Sequence, residues 1–221
     1  MPSVQTFSEE NYLKAIYKLG RRPGEKISPT AIAEELSNNP ASVVDMIKKL
    51  ADKKLISYEK SKGVKLTDKG KKAALLIVRK HRLWEVFLLE KLAYTWDEIH
   101  EIAEQLEHIH HPDLADRLDK FLGFPQFDPH GDPIPKSNGD MPALAGITLE
   151  DMAVGCSGQV VGVRDTSSPF LQYLRQLNVG IGTQITITEK IVYDGSLVIK
   201  VGVAAGTTVS KKFAENVLVM V

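Results

Sequence analysis

The sequence predicts a mainly α-helical chain that ends in a β domain. Apolar residues recur at helical spacing as far as about residue 122. A segment with five prolines and two glycines follows at residues 125–142 and is typical of an irregular linker. Beyond it, short runs rich in Val, Ile and Thr favour strands. These three observations divide the 221 residues into parts at 1–72, 73–142 and 143–221.

Three helices and a hairpin are predicted in the first part. Thr6-x-x-Glu9 has the spacing of a capping box, so a helix begins there. Ser28-Pro29 and Pro40 each open a further helix, because proline is favoured at the first helical position. Two strand-like runs, 55–58 and 64–66, flank a basic turn. Helix, short turn, helix and basic hairpin together form the layout of a winged helix-turn-helix.

Positive charge is concentrated around this hairpin, although the whole chain is neutral. The sequence has 28 Lys and Arg against 28 Asp and Glu, but residues 46–82 hold thirteen basic and three acidic side chains. A basic segment in a neutral chain indicates a local site for a polyanion. Two alternatives stay open, namely a solvated lysine-rich face and a winged helix that contacts only protein.

A winged helix of this kind binds double-stranded DNA with its third helix in the major groove. The first residues of that helix face the base edges, whereas nearby lysines meet phosphates and position the protein. We therefore predict two sets of DNA contacts. The base-facing set is Asn39, Ser42 and Asp45, and the phosphate-facing set is Lys48, Lys49, Lys60 and Lys62.

Two further helices are predicted around a segment rich in histidine and glutamate. Thr67-Asp68 indicates the start of a long helix to about Leu92, and Asp113 that of a helix to Leu122. Between them lies HEIAEQLEHIHH at 100–111, which holds four of the six histidines and three glutamates but no lysine or arginine.

Read as one helix, the 100–111 segment places its polar side chains in one arc beside the apolar arc. Carboxylates held so closely repel one another unless a cation neutralises them. Imidazole and carboxylate ligands suit Mn²⁺, Fe²⁺, Co²⁺ or Zn²⁺. The segment therefore predicts a divalent metal site, with a solvated acidic face as the alternative. The arc comprises His100, Glu104, Glu107, His108 and His111.

The sequence lacks the motifs of several common enzyme classes. Glu104-x-x-Glu107-His108 lacks the first histidine of the HxxEH zinc-peptidase motif, and we find neither a Ser-His-Asp signature nor a phosphate-binding glycine loop. The single cysteine, Cys156, excludes a disulfide within the chain. No apolar run approaches the roughly 18 residues of a membrane span, and the first residues do not resemble a secretory signal. We expect a cytoplasmic protein without enzymatic activity.

The last part is predicted to be a small β-barrel-like domain with one helix. Asp194-Gly195 is a hairpin turn signal, and Ser168-Pro169 indicates where the helix begins. The predicted strands lie at 159–163, 184–188, 196–201 and 216–220.

Five segments of the chain match a known family: SEENYLKAIYKL at 8–19, KGVKLTDKG at 62–70, RKHRLWEVFL at 79–88, HEIAEQLEHI at 100–109 and LADRLDKFLGFP at 114–125. Through these segments the chain resembles the diphtheria toxin repressor family of metal-dependent transcriptional regulators. The resemblance implies a winged-helix domain, a helical dimerisation and metal domain, and an SH3-like domain. It also implies a homodimer that binds a palindromic DNA operator with metal as corepressor.

The resemblance also assigns the principal metal ligands. Glu104, Glu107 and His108 correspond to that set, and glutamate at position 104 is typical of the manganese-responsive branch. Asn11 stands where relatives have Asp or Met, and its side chain offers only an uncharged oxygen. Glu10 is therefore an alternative ligand from the first helix.

Two more ligand groups follow from the resemblance. One corresponds to a neighbouring metal or anion site, and the other to an additional site of manganese-type members. The first group is His81, Glu85 and His100, and the second is Asp128, His130 and Asp165. The implied function is a Mn²⁺-dependent repressor of metal homeostasis. The alternatives are an Fe²⁺-dependent repressor, a metal-independent winged-helix regulator and a metallohydrolase.

Overall fold

A computed structural model describes residues 5–21, 24, 26–143, 146–202 and 205–221. Within this part the chain forms two compact units. The first unit comprises the described residues up to 81, with 104–116 and 135–140, and the second comprises 82–103, 117–134 and the described residues from 141 onward. The predicted division into three parts stays a prediction.

The first unit begins with the predicted helices. Helix α1 (Phe7–Leu19) has a complete capping box, because Thr6 accepts the Glu9 N–H and Glu9 accepts the Thr6 N–H. Helices α2 (Pro29–Glu35) and α3 (Pro40–Asp52) follow, each with proline in its first turn. Strands β1 (Ile56–Glu59) and β2 (Gly63–Leu66) pair antiparallel and form the hairpin.

An apolar core holds these helices against the hairpin. Its members come from every element of the winged helix, and α3 contributes Val43, Ile47 and Leu50, as its helical spacing predicts. Gly63 allows the hairpin to lie close to the chain before α2. Its φ is +78°, and a Cβ atom there would lie 2.5 Å from the Ile27 carbonyl oxygen.

Three helices follow the hairpin along the chain. Helix α4 (Asp68–Leu92) starts where predicted, with the Thr67 hydroxyl accepting the Gly70 N–H. Helix α6 (Leu114–Phe121) also agrees with its prediction. Helix α5 (Ile99–Leu106) is shorter than the sequence suggested.

The interpretation of 100–111 as one helix was wrong. Glu107 and His108 lie in a turn after α5, and His111 is an exposed loop residue whose Nδ1 lies 2.5 Å from Asp113 Oδ1. The Ile109 N–H closes the helix on the Leu106 carbonyl, and Pro112 disfavours helical backbone at the residue before it. Ligands beyond Leu106 are therefore placed by a turn and not by helical periodicity.

The second unit contains one six-stranded antiparallel sheet with strand order β3-β8-β4-β5-β6-β7. The sequence missed β3, β7 and α8, because the two strands have two and three residues and α8 has six. Helix α7 begins at Ser168 as predicted, but Ser167 occupies its N-cap. The elements are β3 (Ile147–Thr148), β4 (Ser157–Val163), α7 (Ser168–Gln176), β5 (Gln184–Lys190), β6 (Leu197–Val201), β7 (Thr207–Val209), α8 (Lys211–Asn216) and β8 (Val217–Met220).

Inward-facing aliphatic residues of this sheet and of α7 and α8 form the core of the second unit. Among the described residues, no helix combines the length and apolar character needed to cross a membrane.

Candidate metal centre

Acidic and imidazole side chains from α1, α4 and the end of α5 meet in the first unit. His81 Nδ1 lies 2.6 Å from Glu107 Oε2, and His108 Nδ1 lies 2.6 Å from Glu10 Oε2. Glu107 is fully buried, and Glu10, His81 and His108 are nearly so. Glu104 joins this group through a shared contact with Lys14. We call these five acidic and imidazole residues the first cluster.

The burial of Glu107 corrects the expectation that it lies beside the core. The turn after α5 directs this side chain inward, so that it has no exposed surface at all. A buried carboxylate needs a compensating charge or several hydrogen bonds, because an isolated charge in the interior is costly.

Lys14 supplies such a charge. Its Nζ lies 2.5 Å from Glu104 Oε1, and 2.7 Å and 2.9 Å from the two oxygens of Glu107. The 100–111 segment has no basic residue, so nothing within it indicates this contact. The available signal was helical spacing, since Lys14 is four residues after Glu10 on α1.

The donor atoms of the first cluster fit a divalent cation. His108 Nε2 is buried and has no hydrogen-bond partner among the described residues. The same holds for the side-chain oxygen of Asn11, the neighbour of Glu10 on α1. Buried polar atoms without protein partners are rare and are usually satisfied by an ordered water or a bound ion. Imidazole nitrogen and carboxylate or amide oxygen are ligands that first-row divalent metals accept.

A second cluster lies in the second unit and consists of Glu85, Asp128 and His130. All three are buried, and each offers a ligand atom within 4.8 Å of the other two. His100 Nδ1 lies 3.1 Å from Glu85 Oε1, which adds a fourth donor nearby. His130 Nε2 is buried without a hydrogen-bond partner in the described chain, so this cluster also fits a cation.

Two backbone hydrogen bonds and an ion pair hold the Asp128 carboxylate in place. Its Oδ1 accepts the N–H groups of His130 and Asp132, and Arg82 Nε lies 3.3 Å from its Oδ2. Burial and the negative charge of Glu85 raise the pKa of Asp128 to about 7, although the positive charge of Arg82 acts in the opposite direction. Burial lowers the pKa of His130, but the hydrogen bond and charge of Glu85 outweigh burial and raise it.

Asp165 is not part of this group of three. Its carboxylate accepts the Ser167 N–H at 2.9 Å in the turn before α7. His81 Nδ1 pairs with Glu107, and His100 Nδ1 pairs with Glu85. The assignment of His81, Glu85 and His100 to one site stays a prediction.

The residues predicted to contact DNA lie on α3 and on the hairpin. Asn39 is the N-cap of α3, and its side chain accepts the Ala41 N–H. Ser42 is exposed, and Asp45 forms an exposed ion pair with Lys48. Lys60 and Lys62 are exposed on the hairpin, where Lys62 pairs with Glu59. Exposed pairs of this kind are weak and easily exchanged for a polyanion.

Lys49 has an additional partner inside the protein. Its Nζ lies 3.0 Å from Glu9 Oε1, and Lys53 Nζ lies 2.6 Å from the same oxygen. Burial raises the pKa of Glu9, but the hydrogen bonds from Lys53 and Lys49 outweigh it and hold this pKa below its usual range. Glu9 therefore links α1 to the last turns of α3 through charged hydrogen bonds, a contact that the sequence analysis missed.

Comparison with known proteins identifies three successive family matches. The iron-dependent repressor N-terminal DNA-binding domain matches residues 6–64. The iron-dependent repressor metal-binding and dimerisation domain matches residues 67–136, and the FeoA domain matches residues 147–221. These matches confirm the predicted fold class of winged helix, helical dimerisation domain and SH3-like domain.

Solved structures resemble the chain over nearly its full length. A manganese-dependent transcriptional repressor in complex with manganese has 34% sequence identity and a TM-score of 0.85, covering 96% of this chain and 98% of that one. The manganese regulator SloR has 36% identity and a TM-score of 0.78, with 96% and 97% covered. The iron-dependent repressor IdeR of Mycobacterium leprae (strain TN) is 28% identical over 216 residues, which is 96% of this chain and 87% of that protein.

Proposed function

Because the chain belongs to the iron-dependent repressor family of metal-dependent DNA-binding repressors, we propose that it is a homodimeric repressor activated by Mn²⁺. The observation that carries the choice of metal is the composition of the first cluster. Its side chains offer only carboxylate oxygen and imidazole nitrogen, from Glu10, Glu104, Glu107, His81 and His108. Such oxygen-rich sites suit manganese, whereas thiolate or thioether ligands would favour softer metals.

The first cluster is placed to influence the DNA-binding helix. A divalent cation held there would neutralise the buried carboxylates and tie α1 to the turn after α5. Glu10 faces this cluster from α1, and the adjacent Glu9 holds Lys49 and Lys53 on α3. An ordered α1 therefore restricts the orientation of α3. Metal affinity and DNA affinity must then change together, since coupling between two binding sites is reciprocal.

DNA binding itself would use the exposed N-terminal turns of α3 and the hairpin. Ser42 and Asp45 are accessible for base edges, and Lys60 and Lys62 are accessible for phosphates. A homodimer related by a two-fold axis would present two such surfaces, so we expect a palindromic operator. The second cluster would hold a further cation through Glu85, Asp128 and His130.

A metal titration of operator binding tests this proposal. Metal-stripped protein should bind weakly, and Mn²⁺ should increase affinity in a manner that falls steeply with salt concentration. The same titration is repeated with Fe²⁺ under anaerobic conditions and with Zn²⁺. Affinity for zinc usually exceeds that for manganese, so affinity in vitro does not identify the physiological metal. Repression must therefore be measured in cells whose manganese or iron supply is varied. Equal operator affinity with and without metal would contradict the proposal, and a cellular response to iron alone would favour the Fe²⁺ alternative.

A further inference from the structure

The ammonium group of Lys14 lies among the acidic side chains of the first cluster. It contacts one oxygen of Glu104 and both oxygens of Glu107 at 2.5–2.9 Å. Only 20% of the Lys14 side chain is exposed, compared with 65% for Lys18 one turn later on α1. Lys14 is thus a specifically placed partner of both glutamates and not a solvated surface lysine.

Lys14 and a divalent cation would need the same oxygens. An ammonium ion in contact with three carboxylate oxygens occupies the directions along which those oxygens would face a metal. The two cations would also repel each other strongly at such a distance in a buried setting. Glu107 in particular has no exposed surface, and both of its oxygens contact the ammonium group.

The chemistry of lysine allows the contact to be exchanged. A lysine ammonium is a compact point charge on a flexible four-carbon stem, and it is strongly hydrated once it reaches water. It can therefore leave the carboxylates without displacing α1. The planar guanidinium of an arginine in the same place would bind the carboxylates more rigidly, and a metal ion would displace it less easily.

We propose that Lys14 is a built-in competitor of the activating metal. In the metal-free protein it neutralises Glu104 and Glu107, and it withdraws from both when they hold a divalent cation. The competition lowers the apparent metal affinity, so Lys14 sets the metal concentration at which the protein responds. This inference rests on the proposed function for its biological meaning, but the exchange of cations can be measured without DNA.

Removal of the competing charge is the first test, with Lys14→Met in the full-length protein. If the lysine-bound state accounts for about 90% or more of metal-free molecules, the variant should bind Mn²⁺ at least about tenfold more tightly. Lys18→Met is the matched control, because Lys18 lies on the same helix and pairs with Glu35 at 2.7 Å. Its Mn²⁺ affinity should equal that of the unmodified protein. Unchanged or weaker binding by a folded Lys14→Met variant would overturn the inference.

Amine labelling of the unmodified protein is the second test and does not depend on a variant that folds. The reactivity of each lysine towards an acylating reagent is measured by mass spectrometry with and without Mn²⁺. Lys14 should become several-fold more reactive when metal binds, whereas Lys18 should not change. Protection of Lys14 that persists in the metal-loaded protein would show that lysine and metal coexist, and would overturn the competition.

The two tests separate this inference from the proposed function. If Mn²⁺ displaces Lys14 but has no effect on operator binding, the competition stands and the repressor mechanism fails. If neither the unmodified protein nor Lys14→Met binds Mn²⁺, both fail.

Discussion

Each cluster contains carboxylates whose charge is balanced by a basic side chain, a lysine in the first cluster and an arginine in the second. In the first cluster, the buried Glu107 and the partly exposed Glu104 contact Lys14, whose flexible side chain is one-fifth exposed. In the second, Arg82 contacts Asp128 and Asp132 and donates to the Pro133 carbonyl at 2.6 Å, and it is almost fully buried. Arginine held by three partners is a fixed part of the structure, whereas the lysine contact can be exchanged. The first cluster is therefore suited to switching and the second to holding the chain around residues 128–133 in place.

Glu107→Gln should have the largest effect on function in this comparison. The change keeps the shape of the side chain but removes the charge that both His81 and Lys14 contact. We expect Mn²⁺-activated operator binding to fall by about 100-fold or more, since the cluster loses its most buried carboxylate. Fluorescence anisotropy with labelled operator measures the effect, and Glu90→Gln on the exposed part of α4 is the control. A variant that still responds to Mn²⁺ would remove Glu107 from the metal site.

Glu107→Ala is less suitable for this purpose. Because Glu107 is fully buried, its truncation leaves a cavity in addition to unpaired basic groups. Loss of stability would then obscure the loss of metal response.

Arg82→Met should have the largest effect on stability. It leaves Asp128 buried without its guanidinium partner, and removal of one member of a buried ion pair costs about 3–5 kcal/mol. Urea unfolding of the metal-free protein should show this loss. Lys14→Met should cost less, because the ammonium that it removes is partly exposed to water. If Lys14→Met lowered the free energy of unfolding more than Arg82→Met, Arg82 could not be the fixed and Lys14 the exchangeable partner.

His130→Ala separates the ligands of the second cluster from Asp165. We expect the number of bound metal ions to fall by about one per chain, because His130 is one of the three donors that lie together. Asp165→Ala should leave the metal count unchanged, because this carboxylate accepts the Ser167 N–H outside the group. Metal analysis after dialysis measures both variants. Equal losses in the two variants would place Asp165 in the site after all.

The sequence predicted the elements whose signals are local. Thr6-x-x-Glu9, Ser28-Pro29 and Thr67-Asp68 mark helix starts that the structure confirms, because a cap requires only residues within one turn of it. The resemblance assigned Glu85 to one ligand group and Asp128 and His130 to another, whereas the structure brings these three side chains together. Their role as metal ligands stays a prediction.

Other features of the site depend on the tertiary structure and had no local signal. The contact of Lys14 with Glu104 spans ninety positions, and the spacing of Lys14 from Glu10 on α1 was the one indirect indication of it. The end of α5 was missed because periodicity continued through His108 and His111, although Pro112 follows. Lys49 was predicted to bind phosphate from its position alone, but its contact with Glu9 requires α1 and α3 to pack together.

Glu9→Gln tests the link between the first cluster and α3. The carboxylate accepts hydrogen bonds from Lys53 and lies 3.0 Å from Lys49, so its neutralisation should cost about 1–2 kcal/mol of stability. Mn²⁺ binding should be retained, while the increase in operator affinity on metal addition should shrink severalfold. Comparison of metal affinity by calorimetry with operator affinity by anisotropy checks this. An undiminished metal response would mean that α1 orients α3 through apolar packing alone.

Lys60→Ala should have the smallest effect and sharpens the contrast between exposed and buried lysines. Lys60 is exposed on the hairpin and is predicted to meet a phosphate. Its removal should leave stability and Mn²⁺ affinity unchanged and should weaken operator binding severalfold, equally for specific and unrelated DNA. The slope of log affinity against log salt concentration should fall by about one, because one fewer counterion is released. Lys49→Ala should combine this loss with a loss of stability, because Lys49 also pairs with Glu9. An unchanged salt slope for Lys60→Ala would show that the hairpin does not approach the phosphates.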